Sequence, residues 1–131
     1  LSLEPLGSGY ALIMEDSGET ALSQYVKQQS LHWTEAFAIA LQIADILHNL
    51  VQYRVVHKDL KPANILIHPK SKQIRLIDFS IASLLPKETQ DIQSPSILEG
   101  TLSYLAPEQT GRMNRGIDYR ADFYALGVTL Y

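Results

Sequence analysis

The sequence contains no cysteine, which removes disulfide frameworks, thiolate metal sites and cysteine nucleophiles, and fits a reducing compartment best. Charge is sparse as well: 19 % of the 131 residues are Asp, Glu, Lys or Arg, and the net charge is −3. A basic surface for coating nucleic acid and a charged disordered tail are therefore both excluded. No apolar run approaches the ~18 residues that a membrane helix needs, and no basic segment followed by an apolar one opens the chain. Neither a membrane partner nor an export signal is expected, and the chain reads as cytoplasmic. What is present is a 46 % share of apolar residues, enough to pack a core. The chain opens on Leu1 and closes on Tyr131, inside a stretch that includes Phe123, Leu126, Val128 and Leu130. A helix halted there leaves apolar surface uncovered, so a fragment is expected.

Residues Tyr10 to Glu15 follow Gly7 and Gly9 and read as one buried strand, and Asp16-Ser17-Gly18 turns the chain. A short helix is expected over 20–28. A longer one has Thr34 as its N-cap and runs toward Tyr53, with Phe37, Ala40, Ile43, Ala44, Leu47, Leu50 and Val51 at three- and four-residue steps. The polar segment His57 to Asn64 carries Pro62 and cannot be helical through it. Ile65 to Ile67 and Ile74 to Ile77 read as a β-hairpin around His68 to Lys72. Leu85 to Glu99, with Pro86 and Pro95, reads as a mobile surface loop, and a final helix begins near Tyr119.

The hairpin suggests chemistry. Pairing Ile65 with Ile77 and Leu66 with Leu76 places Asn64 opposite Asp78 at the open end. Directly opposed residues have Cβ atoms roughly 4.5–5.5 Å apart, so an amide oxygen and a carboxylate converge on one small cation. Hard oxygen ligands suit Mg²⁺, which takes its other ligands from water and phosphate. Asp59 and Lys61, two apart in an extended segment, face one way. A carboxylate there accepts a hydroxyl proton while an ammonium neutralises charge on a transferring group, the requirements of phosphoryl transfer.

His57-Lys58-Asp59-Leu60-Lys61-Pro62-Ala63-Asn64 resembles the catalytic loop of protein kinases, and Asp78-Phe79-Ser80 resembles their metal-binding motif. Ala106-Pro107-Glu108 is similar to the motif closing the activation segment, Asp122 to Gly127 to the start of the long buried helix, and Ile13-Met14-Glu15 to the hinge. The resemblance implies an α+β protein-kinase-like fold. Residues 1–131 would be a partial catalytic domain with hinge, mainly helical C-terminal lobe and activation segment, lacking the N-terminal lobe and the end of the C-terminal one. By resemblance Asp59 would be the base and Lys61 would contact the γ-phosphate of ATP, while Asn64 and Asp78 would hold Mg²⁺. Glu15 and Ser17 would offer backbone groups to adenine, with Met14 as gatekeeper and Leu66 under the ring. Lys61 and Gly100-Thr101 resemble serine/threonine kinases, with Thr101 in the activation segment facing a protein substrate. His57, Phe79, Glu108 and Asp122 would be structural: His57 behind the loop, Phe79 in the core between lobes, Glu108 seeking an arginine further along, and Asp122 accepting backbone hydrogen bonds from the loop. The segment Pro107 to Arg115 with Asp118-Tyr119-Arg120 further resembles the N-terminal kinase domain of large bacterial signalling proteins that also carry an ATPase region, a GAF domain and a sensor histidine kinase.

Two positions depart from the family pattern. Lys58 stands where arginine is usual and cannot form a bidentate fork with phosphate, and Ser80 stands where glycine lends backbone freedom. They raise a second reading, a pseudokinase acting as a regulatory or scaffolding module. A third, a small-molecule phosphotransferase on the same fold, fits Gly100-Thr101 and Ala106-Pro107-Glu108 less well. Gly7-Ser8-Gly9 reads as a plain turn rather than a phosphate loop, because no room follows it for a lysine strand and helix before the hinge. The fragment alone is therefore expected to bind ATP poorly and to lack useful turnover. His32, His48 and His68 share no metal-ligand spacing, and Arg112 and Arg115 read as solvated.

Overall fold

The structure, a computed structural model, describes residues 2–13, 16–85, 102–110 and 116–131. It opens with an antiparallel hairpin of β1 (Ser2–Leu6) and β2 (Gly9–Ile13), in register from Ser2 opposite Ile13 to Leu6 opposite Gly9. Gly7, at φ +59°, takes the first of the two turn positions, where a side chain is strained. This makes Gly7-Ser8 a two-residue hairpin turn. The strand β1 contains Pro5 and no alternation of apolar residues, which hides it in the sequence. Its presence corrects the expectation of hinge and helical lobe alone: strands precede the hinge region.

The strand β3 (Thr20–Ala21) runs directly into α1 (Leu22–Gln28), so the expected helix over 20–28 starts two residues late. Thr20 and Ala21 pair with Ile67 and Leu66 and spend their backbone groups on the sheet. Next, α2 (Trp33–Gln52) is capped by His32, whose Nδ1 accepts from the Thr34 N–H, rather than by Thr34. Its core-facing residues are Ile39, Ile43 and Leu47, while Phe37 is 62 % exposed. Arg54, at φ +57°, ends the helix and leads into β4 (Val55–Val56).

The strands β5 (Ile65–Ile67) and β6 (Ile74–Leu76) form the expected hairpin, and with β3 they make a three-stranded antiparallel sheet of order β3-β5-β6. The register differs from expectation by one residue: Ile65 faces Leu76, Leu66 faces Arg75 and Ile67 faces Ile74. The ladder runs one rung further into the loop, where the His68 N–H donates to the Gln73 carbonyl at 2.9 Å. Lys72, at φ +59°, makes the turn without glycine. Asn64 consequently lies across from Ile77, whose N–H donates to the Asn64 carbonyl at 3.0 Å, and not from Asp78. The short strand β7 (Ser83–Leu84) pairs with β4. Apart from Leu85, the expected surface loop to Glu99 lies outside the described residues. Single 3₁₀ turns at Leu102–Tyr104 and Pro107–Thr110 precede α3 (Arg120–Leu130).

One core joins these elements. Leu22 and Tyr25 of α1, Ile39, Ile43 and Leu47 of α2, Leu60, Ile65, Ile67 and Ile74 of the loop and sheet, and Ala125 and Leu126 of α3 cluster out of solvent. Each fully buried Leu or Ile contributes about 1.5–3 kcal/mol. Two polar ties hold the hairpin loop on α2. The Gln42 side chain donates Nε2–H to the Lys72 carbonyl at 3.0 Å and accepts the Ile74 N–H at 3.2 Å. Lys72 pairs with Glu35 at 3.0 Å, and both reach the Tyr25 hydroxyl.

Candidate active site

The segment between β4 and β5 alternates anchors with exposed chemistry. His57, Leu60 and Asn64 are buried, whereas Asp59 and Lys61 stand between them, partly exposed. Leu60 enters the core, and the Pro62 carbonyl accepts the Ser23 N–H at 3.0 Å, which fixes the loop to α1. Pro62, which forbids helix, sits in a tight turn closed by the Asn64 N–H, which donates to the Lys61 carbonyl at 2.9 Å.

Asp59, Lys61 and Asn64 meet at one carboxylate oxygen. Lys61 Nζ lies 2.7 Å from Asp59 Oδ2, and Asn64 Nδ2 donates to the same oxygen at 2.8 Å and to the Asp59 carbonyl at 2.9 Å. The Asn64 amide nitrogen faces Asp59, so its oxygen is the atom left to bind elsewhere. Asp78 follows β6 by two residues, at φ +65°, which turns it off the ladder. Hydrogen bonding from the Ser80 hydroxyl holds its carboxyl below the usual range, with the Ser80 N–H and the charge of Lys61 acting the same way. Asp78 therefore stays ionised at neutral pH. An amide oxygen and a carboxylate are hard donors, few in number, and they fit a Mg²⁺ ion that keeps water and phosphate ligands.

Behind the loop, the Asp122 carboxylate accepts the His57 N–H and the Lys58 N–H, each at 2.8 Å. It is 3 % exposed, and burial pushes its pKa up against those two hydrogen bonds. His57 is fully buried; its Nε2 lies 3.0 Å from the Ile77 carbonyl and its Nδ1 accepts the Asp59 N–H at 3.2 Å. These partners demand the neutral Nε2–H tautomer. Phe79, expected in the core between lobes, is in contact with His57 among the described residues. It is 44 % exposed and packs edge-on against that ring, with ring centroids 4.6 Å apart.

The remaining expected residues make other contacts or lie outside the described residues. Leu66 is half-buried beside Arg75, and Ser17 Oγ accepts from Arg75 Nη1 at 3.4 Å while Arg75 Nε pairs with Glu19 at 3.1 Å. Glu108 sits in the second 3₁₀ turn and makes no ion pair among the described residues. Glu15, Met14 and Thr101 lie outside the described residues. One residue escaped the sequence reading: Gln109 Nε2 donates to the Lys58 carbonyl at 2.8 Å, and its Oε1 accepts the Ala106 N–H at 3.0 Å. A glutamine in a turn carries no sequence signal for such a role.

Among the described residues, no helix is long and apolar enough to cross a membrane. The chain is similar to the receptor-like kinase TMK2 of Arabidopsis thaliana, 38 % identical over an alignment of 105 residues that covers 76 % of this chain and 11 % of that protein. It is also similar to the serine/threonine-protein kinase PknB of Mycolicibacterium smegmatis, 36 % identical over 97 residues, 74 % of this chain and 15 % of that protein. The serine/threonine-protein kinase Pkn1 of Myxococcus xanthus is 36 % identical over 123 residues, 92 % of this chain and 17 % of its own length. The chain thus spans under a fifth of each of these three relatives. The family model described as the protein kinase domain matches residues 7–131, beginning in the β1–β2 turn. With that match over nearly the whole sequence and homologues among serine/threonine kinases of plants and bacteria, the chain belongs to the protein kinase family.

Proposed function

We propose that these residues form part of the catalytic domain of a serine/threonine protein kinase that transfers the ATP γ-phosphoryl group to a protein hydroxyl with Mg²⁺. The observation that carries this reading is the shared oxygen, Asp59 Oδ2, held by Lys61 at 2.7 Å and Asn64 at 2.8 Å. With Oδ2 occupied, Asp59 Oδ1 is the atom that accepts the substrate hydroxyl proton, and Lys61 directs its charge to the phosphoryl group in flight. Asn64 and Asp78 would hold the Mg²⁺, which when bound offsets charge on the phosphates. Leu66 and the backbone at Glu15 and Ser17 form the adenine side, and Thr101 meets the protein substrate.

The identity of Lys61 and Gly100-Thr101 supports serine/threonine specificity, as do the names of the bacterial relatives. The stretch from Pro107 to Arg120 supports placement in a large bacterial multidomain signalling protein, with the other domains of that protein as partners. The absence of cysteine and the requirement for ATP support a cytoplasmic catalytic domain. Transfer is proposed for a protein that also supplies a glycine-rich loop and a strand lysine; the 131 residues alone should be nearly inactive. The test is phosphate incorporation into a generic protein substrate by the full-length protein and its Asp59→Asn variant. Incorporation should fall by more than about 10²-fold in the variant, with ATP binding nearly unchanged. Equal rates in the two proteins refute the base assignment, and ATP binding without transfer in the unaltered protein favours the pseudokinase reading that Lys58 and Ser80 raise.

A further inference from the structure

The peptide group between Lys58 and Asp59 is gripped at both ends. Its N–H, that of Asp59, donates to His57 Nδ1 at 3.2 Å, and its carbonyl, that of Lys58, accepts from Gln109 Nε2 at 2.8 Å. Lys58 itself sits at φ +70°, a left-handed conformation that a side-chain-bearing residue keeps only when its surroundings impose it. Asp122 holds the Lys58 N–H from one side, so Gln109 supplies the restraint on the other. The glutamine is not free to swing, because its Oε1 accepts the Ala106 N–H within its own turn at 3.0 Å. Both halves of one side-chain amide are thus committed, one to the segment Ala106 to Gln109 and one to the residue before Asp59.

From this we infer that Gln109 is a positioning residue for Asp59: it sets the plane of the Lys58–Asp59 peptide and so transmits the placement of the Ala106–Gln109 turn to the base. This inference rests on the proposed role of Asp59. The coupling follows from geometry, since rotating that peptide plane moves the Asp59 Cα and its carboxylate relative to Lys61 and Asn64. Misplacement of a reacting group by about 1 Å costs on the order of 10²-fold in rate. Donation is the essential half. An isosteric acid at this position keeps the acceptor for the Ala106 N–H but turns an ionised oxygen toward the Lys58 carbonyl.

The test compares Gln109→Met and Gln109→Glu with the unaltered full-length protein. Both should lower kcat about ten- to a hundredfold with KM for ATP within twofold. The Gln109→Glu deficit should shrink as pH falls through the titration of the new carboxyl, because its protonated form donates again, whereas the Gln109→Met deficit should not change. A merely structural role gives no such pH-dependent recovery. Amide hydrogen exchange on the same proteins reads the clamp without reference to catalysis: Asp59 should exchange at least tenfold faster in both variants, with Ile43 and Leu47 unchanged. Loss of protection at Ile43 in Gln109→Met alone leaves Gln109→Glu to decide. Unchanged kcat, a change in KM alone, or unchanged exchange at Asp59 overturns the inference. If the unaltered protein and Asp59→Asn are equally inactive, the proposed function fails, while exchange at Asp59 still decides whether the clamp exists.

Discussion

Replacing Asp122 by asparagine separates two opposing effects of one buried carboxylate. The side chain accepts two backbone N–H groups at 2.8 Å, and one of the donors, His57, has no exposed surface. Asparagine keeps one acceptor but presents an N–H₂ group to the second donor, which leaves a buried N–H unsatisfied. A hydrogen bond to a charged group contributes about 1.5–3 kcal/mol and an orphaned buried donor costs about 1–3 kcal/mol. Removing the charge recovers part of its desolvation penalty, so the expected net loss is about 2–3 kcal/mol. That is a large share of the roughly 5–15 kcal/mol that holds a domain folded. Burial raises the folded-state pKa of Asp122 above its ordinary value. Between those two values the native state therefore binds the proton that the unfolded state has released, and stability from this group falls as pH rises through the window. The deficit of Asp122→Asn should accordingly grow as pH is lowered from 7 through that window. Urea unfolding followed by far-ultraviolet circular dichroism measures it; the single tryptophan, Trp33, is 73 % exposed and reports poorly. A neutral substitution refutes the weight given to the two hydrogen bonds, and a deficit that shrinks toward acid refutes the raised pKa of the buried carboxyl.

Gln42→Ala removes the two hydrogen bonds from the Gln42 side chain to the hairpin loop, at the Lys72 carbonyl and the Ile74 N–H, and leaves the Lys72–Glu35 pair in place. It should cost about 1–2 kcal/mol, and exchange at Ile74 should quicken before exchange at Ile43; equal protection at both sites contradicts the role given to Gln42. The Glu35 carboxyl is held below its ordinary range first by the Tyr25 hydroxyl and then by Lys72. Its contribution is present above the unfolded-state pKa and is lost as pH falls through the lower folded-state value. Lys72→Met should flatten that acid limb in a pH series of urea midpoints, and an unchanged limb argues against the tie.

The long helix, the hairpin, the final helix and the non-helical segment from His57 to Asn64 were legible because each rests on a strong local signal, such as apolar spacing at Ile43 and Leu47, the apolar run Ile65–Ile67, and Pro62. What was illegible depended on choices with no local signal. The hairpin register turns on Lys72 adopting a left-handed conformation, a position where glycine or asparagine is the readable cue. One extra rung at His68 and Gln73 then shifts every partner by one. Asp78 leaves the ladder through its own backbone turn at φ +65°. His32 outcompetes Thr34 as the cap because its ring nitrogen accepts the N–H that a threonine oxygen was expected to take. Phe37 looked like core because it shares helical spacing with Ile43, but the stripe that faces the sheet is Ile39, Ile43 and Leu47.

The claim on which the account rests is that Asn64 and Asp78 serve one divalent ion beside Asp59. Titrating Mn²⁺ into the ATP-bound full-length protein, with backbone and side-chain amide signals followed by NMR, tests it directly. Paramagnetic broadening should strike the Asn64 side chain and the Asp78 amide together at the same metal concentration; Asn64→Ala should abolish it at the Asp78 amide, and Asp78→Ala should abolish it at the Asn64 side chain. Broadening confined to one of the two, or surviving both substitutions, contradicts a shared ion and with it the assignment of phosphoryl transfer to this site.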